Sequence, residues 1–359
     1  MSTSVSLTDA PANWVSAIGT AMAALGTVLT LGFLIYQNIE LRRSQQEETL
    51  KREAHEEKQQ NMWNEQREML TFEKLKMHKQ EFNALLDELE RKFTVTFFDR
   101  TALYKGIFPN NRLQSSEINI VIRNNDLNAL HKASELYAEL FTLINRIESN
   151  QVTAAQEVDV ADSFIRCSGK LRYYLKIEIP NNDYFGDITI GEGRDRFIIT
   201  NVFSSLKSTS VYGEILKELS DFGGIEFNEP ILSGNFYNKP LYAFACSHNV
   251  HGGFNVRLGQ VGKAFSDIYH IMRINDKYLI TDETLLKAFQ ETEILLDSGL
   301  HSLTEIQAAY KLCGIAKVLK QALVRSSDPE VKDKYECIEK LQTAQFRLHK
   351  RLGILNPSS

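Results

Sequence analysis

Hydrophobic and polar positions fall into three regimes along the chain. From Trp14 to Tyr36 the sequence WVSAIGTAMAALGTVLTLGFLIY is apolar or small on every side and carries no charge. As a helix rising 1.5 Å per residue it reaches roughly 33 Å, against a bilayer hydrocarbon core of about 30 Å. From residue 38 to 92 the pattern reverses. Glu, Gln, Lys and Arg dominate, and no Gly or Pro intervenes between Gly32 and Gly106, which predicts one long helix. Its first half has almost no apolar face, with Glu47/Lys51 and Glu48/Arg52 at the i,i+4 spacing that steadies an exposed helix. Further on, Leu75, Phe82 and Leu89 form one heptad row, with Phe72, Leu86 and Phe93 in the complementary row. That sticky face needs a cover, either the same rod of a second copy or the chain's own C-terminal body.

Beyond residue 92 short helical and strand-like patterns alternate. FTVTFF (93–98) reads as a strand or as the frayed end of the rod, and GIFPNN (106–111) is a break. A helix fits Asp126 to Ser149. Thr153 and Gln156 form a capping-box signature for the next helix, which ends before Pro180. Residues 181–260 read as an insert of loops and a few strands, with DITI, RFIIT and PLYAFA as short apolar runs. Three helices close the chain at approximately 281–297, 303–325 and 329–352. Ser302/Glu305 and Asp328-Pro329 serve as start signals, and Leu303, Ile306, Tyr310 and Cys313, with Tyr335, Ile338 and Leu341, are the expected contact rows. The fold class expected is mainly α, with a single N-terminal transmembrane helix (1–37 including its tail), a long charged helical stalk (38–92) and a cytoplasmic, mostly helical domain with a loop and strand insert (93–359).

Charge gives this layout a direction. Arg42, Arg43, Lys51, Arg52 and Lys58 follow the apolar segment, whereas Asp9 is the only charged side chain before it. The positive-inside rule therefore places the N-terminus outside and the body in the cytoplasm. No basic residue precedes the segment, which is also too long for a cleavable signal peptide. Trp14 and Tyr36 mark the two headgroup levels. Within the span, Ser16, Gly19, Thr20, Ala23, Gly26, Thr27 and Thr30 compose rows of small and hydroxyl residues that let helices approach and bond across the contact. Homo-oligomerisation in the membrane and passive anchoring are both open.

The 359 residues carry 41 basic and 46 acidic side chains, a net charge of −5, so no chain-wide positive field supports general nucleic-acid binding, and no direct sequence-specific binding is expected. Four widely separated cysteines argue against a disulfide framework. The tightest reactive cluster is Cys246, His248 and His251 in ACSHNVHGG, which matches no standard metal spacing. GQVGKA (259–264) fails as a phosphate loop, because Arg257 stands where the first Gly belongs and Ala264 replaces the magnesium-binding hydroxyl. His270 reads as a structural histidine on a helix, and RLHKR (347–351) as a basic patch or as helix C-terminal cations. No catalytic residue, metal or cofactor is assigned. An enzyme with a site around Cys246, His248, His251 and His270 is the alternative, and a non-enzymatic membrane scaffold a further one.

HKQEFNALLDELE (78–90), DRTALYKGIFPNN behind it and VGKAFSDIYHIMRIND (261–276), together with the span and charged rod, resemble bacterial phage abortive-infection proteins. The layout is similar to the transmembrane effector of a retron antiviral system. That resemblance implies a toxin in the bacterial inner membrane, restrained by a reverse transcriptase with its RNA–DNA product, which on release oligomerises, damages that membrane and kills or arrests the infected cell. The family often carries an Arg just ahead of the histidine matching His270; Ser266 occupies that place here.

Overall fold

The computed structural model describes residues 10–112, 118, 121, 128–149, 151–179, 184–191, 196–227, 238–247, 253–273, 282–300, 302–326 and 334–353. Among these the chain is mainly helical with a few small strands. Its helices are α1 (Ala10–Phe93), α2 (Arg100–Ile107), α3 (Ala129–Glu148), α4 (Glu157–Leu175), α5 (Ser205–Phe222), α6 (Lys239–Cys246), α7 (Gly262–Met272), α8 (Glu283–Gly299), α9 (Glu305–Arg325) and α10 (Lys334–Arg351). The strands are β1 (Thr96–Phe97), β2 (Ile177–Glu178), β3 (Asp187–Ile190), β4 (Phe197–Asn201) and β5 (Phe254–Val256). Contacts divide the chain into two units, Met1–Glu73 and Lys74–Ser359.

In the first unit, every described side chain from Trp14 to Leu70 is exposed. The apolar stretch is the one helical segment among the described residues that is long and apolar enough to cross a membrane, and none of it is buried. Its threonine hydroxyls bond back along the helix, Thr20 Oγ1 to the Ser16 carbonyl at 2.9 Å, Thr27 Oγ1 to Ala23 at 2.8 Å and Thr30 Oγ1 to Gly26 at 2.8 Å. Each donor is thereby satisfied within its own helix, which lowers the cost of placing it in an apolar medium.

The second unit has one core, and the end of α1 belongs to it. Leu75, Phe82, Leu86 and Leu89 are buried, so this face of the rod is covered by the chain's own body, whereas Phe72, in the first unit, is exposed. Residues 74–92, expected to be stalk, fall in the second unit and lend one face to its core. Phe82 meets Tyr104 and Phe108 edge-on, at centroid distances of 5.4 and 6.3 Å. Helix α1 stops where Thr94 turns to a positive φ of 54°, a left-handed conformation unusual for a β-branched residue. The Glu90 carboxylate pins the chain just after this turn, accepting from the Phe97 N–H at 2.7 Å and from Arg100 at 2.8 Å. FTVTFF thus contains a strand, short as it is. Lys176, also left-handed, ends α4 at the same place, and β1 pairs antiparallel with β2 through Thr96/Glu178 and Phe97/Ile177.

A three-stranded antiparallel sheet in the order β4-β3-β5 lies in the region expected to be loops and strands, with a bulge between Ile188 and Thr189. Gly186 enters it at φ +85°, where an added Cβ would stand 2.6 Å from the Phe203 ring, so glycine is required on both counts. Asn201 ties the entry together by donating to the Phe185 carbonyl at 2.9 Å and to Asp187 Oδ1 at 2.8 Å.

Several expected boundaries are corrected. PLYAFA is helical in α6, with Pro240 in its first turn, and α5 fills much of what read as loop. Helix α3 starts at Ala129, capped by Asn128, rather than at Asp126. Gln156, not Thr153, precedes α4; its side chain accepts from the Thr153 N–H and hydroxyl, leaving Thr153 in the preceding turn. The capping box of α9 is Thr304/Gln307, not Ser302/Glu305. Asp328 and Pro329 lie outside the described residues, and α10 begins at Lys334. On α9 the buried row is Ala308, Leu312, Ile315, Ala316 and Leu319, whereas Ile306 and Tyr310 are exposed.

Candidate functional site

Of the sequence-predicted cluster, the described residues include Cys246 and His270. Cys246 is buried at the end of α6, and burial pushes its thiol up to about 12, away from thiolate chemistry. His270 stands exposed on α7 between buried Tyr269 and Ile271. It is therefore a surface histidine rather than a core one. His248 and His251 lie outside the described residues. Among the described residues no three His, Cys, Asp or Glu converge to hold a metal ion.

The other basic and Gly-rich features are drawn into internal contacts. In the basic patch, Arg347 bonds Asp267 and Arg351 bonds Glu305 at 3.1 Å. Glu305 also accepts from the Gln260 N–H at 2.9 Å, so a carboxylate already occupies the GQVGKA turn that failed as a phosphate loop.

A feature that sequence reasoning missed is a cleft of about 970 Å³ between the α3/α4 helix pair and the sheet. Helix α3 contributes Lys132, Glu135 and Glu139 to its wall; α4 contributes Arg166, Lys170, Arg172 and Tyr173; and Phe197, Ile199 and Phe254 come from β4 and β5. Cations and rings alternate around it. The Arg166 guanidinium lies 5.2 Å from the Phe254 ring centroid, Lys132 Nζ 6.0 Å from Tyr174 and Lys176 Nζ 3.8 Å from Tyr173. Such pairs are attractive because the ring face carries negative quadrupolar charge.

Arg172 is the exceptional member. It is 6% exposed, its guanidinium sits 4.9 Å from the Phe197 ring, and its Nε and Nη2 have no hydrogen-bond partner. Burial draws its pKa down from the ordinary value, with Tyr212 and Glu178 pulling the other way. A guanidinium stays charged in proteins, so this is a buried cation without a bonded anion, an arrangement that costs several kcal/mol as an order of magnitude. The only signal in the sequence was the density of cations and tyrosines in RCSGKLRYYLK (166–176).

A second buried polar cluster lies where α1 enters the core. His78 Nδ1 is 2.8 Å from the Tyr104 hydroxyl, which also accepts from Asn111 Nδ2 at 3.2 Å. Phe108 and Phe222 flank the imidazole, and burial lowers its pKa, opposed by Glu81. Packed among these rings, the cluster reads as a structural lock.

Comparison with protein-family models, curated proteins and solved structures finds no match to this chain.

Proposed function

We propose that the protein is a membrane-anchored effector of antiphage abortive infection. Its N-terminus lies outside the bacterial inner membrane and its helical body in the cytoplasm. A partner restrains the body, a reverse transcriptase with its RNA–DNA product being the one the family resemblance suggests. On release, the spans of several copies associate and damage the membrane, so that the infected cell dies or stops growing.

The observation that carries this reading is the charge-free segment Trp14–Tyr36, whose side chains are exposed throughout. A core helix of a soluble protein would be buried; this one requires lipid or other copies of itself. The small-residue rows support association. An added Cβ at Gly19 or Gly26 meets nothing within 4 Å, so these glycines are dispensable to the single helix and available to a neighbour. Because Thr20, Thr27 and Thr30 already donate to their own backbone, their oxygens remain for a neighbour only as acceptors.

Membrane potential and dye entry in cells expressing the full chain test the proposal. Rapid depolarisation is expected with the natural sequence and its loss with Gly19→Leu/Ala23→Leu/Gly26→Leu. Depolarisation that survives the triple substitution, or growth arrest at intact potential, contradicts it.

A further inference from the structure

We propose that the cleft between α3/α4 and the sheet is a nucleotide-binding site, with Arg172 as the seat of the phosphate and the aromatic wall as the platform for the base. The proposal is independent of the membrane reading.

Three observations converge on that ligand class. First, Arg172 is buried yet lacks a bonded anion among the described residues, and the N–H groups on its Nε and Nη2 meet no acceptor. A planar fork of this kind fits the paired oxygens of a phosphate. Second, the cleft wall carries the cations Lys132, Lys170 and Arg172, besides Arg166, which is already paired with Asp162 at 2.6 Å, against the carboxylates Glu135 and Glu139, a net positive lining that suits a phosphate anion. Third, its apolar wall is mainly aromatic. Tyr173 and Phe197 keep 62% and 38% of their surface exposed, although large rings are normally buried. Base stacking on such rings tolerates any base, because every base has a π-face. An acyl chain would suit an aliphatic lining better, and a bare inorganic anion would leave the rings unused.

Phe197 also holds the guanidinium in place. Its ring lies over the guanidinium, where cation–π attraction partly replaces the missing anion. Nε and Nη2 are sealed beneath neighbouring atoms, so a phosphate in the cleft reaches them only with a local shift of the wall. Tyr212, buried behind the sheet, holds the strand itself in place by donating to the Ile199 carbonyl at 3.1 Å.

The nucleotide chemistry could be presented free or at the phosphorylated end of a strand. The test uses the full chain in detergent with two fluorescent probes read by anisotropy, N-methylanthraniloyl-AMP and a labelled 5′-phosphorylated single-stranded oligonucleotide. Unlabelled AMP, adenosine and the unphosphorylated oligonucleotide serve as competitors. Saturable binding of the mononucleotide, with adenosine about tenfold weaker or more, supports a free nucleotide. Binding of the phosphorylated oligonucleotide alone supports the strand end. Arg172→Gln is expected to weaken either by about tenfold or more, and Tyr173→Ala, on an exposed ring, by about fivefold. Because Tyr173 is largely exposed, its variant keeps the test decisive even if Arg172→Gln fails to fold. No binding of either probe, adenosine competing as well as AMP, or unchanged affinity in Tyr173→Ala overturns the proposal.

Discussion

Helix α1 carries two apolar stretches that obey different rules. Between Trp14 and Tyr36 apolar and small residues surround the helix and all are exposed; further on, Leu75, Phe82, Leu86 and Leu89 occupy one face and are buried. The second stretch is what water demands of an amphipathic helix, with its apolar stripe covered and its polar face wet. The first has no polar face to leave wet, so no rotation of the helix against a protein core would solve its problem. The contrast shows that periodicity, more than total hydrophobicity, tells which medium a helix is built for.

The comparison sharpens if the buried stretch is broken alone. Leu86→Ala removes a fully buried side chain and should destabilise the body by about 2–5 kcal/mol in urea unfolding, leaving membrane association unchanged. Loss of both together would mean that the two stretches do not act separately.

A smaller effect separates two buried titrating groups of the body by the sign of their pH dependence. The His78 pKa is lowered from its ordinary value near 6.5, so its share of stability is fully present above that pH and is lost as pH falls below it. Asp187 runs the other way. Burial raises its carboxyl to about 6, against the pull of Asn201, the Tyr184 N–H and Arg196. Its share is fully present below an ordinary carboxyl pKa of about 3.9 and is lost as pH rises through about 6. Natural protein should therefore gain stability relative to Asp187→Asn as pH falls from about 6 to 4. A difference that does not vary with pH would remove Asp187 from the account. Smallest is the α9 cap, where Thr304→Ala should cost about 1 kcal/mol by loss of the bond to the Gln307 N–H.

The legibility of the fold divides along the same line. The apolar segment and the rod could be read because their signals are long and unbroken. Helix α5 was missed although Tyr212, Ile215, Leu216 and Leu219 keep helical spacing, because its first turn is rich in Ser and Thr and comes after strand-like RFIIT. PLYAFA was too short for periodicity to distinguish helix from strand, and Pro240, an N-terminal helix signal, was the available clue. Two start signals of the same form lie two positions apart before α9, and only tertiary packing selects Thr304. The cleft was illegible for a different reason: its walls come from α3, α4, β4 and β5, and the absence of an anion at Arg172 is a property of the assembled chain.

The central claim is that Trp14–Tyr36 crosses a membrane, and its most direct test is alkaline carbonate extraction of membranes from cells expressing the full chain. The natural sequence should stay in the pellet. Leu25→Arg/Leu29→Arg should release it, since each central arginine opposes insertion by about 2.5–3.5 kcal/mol. Natural protein washed into the supernatant would contradict the account.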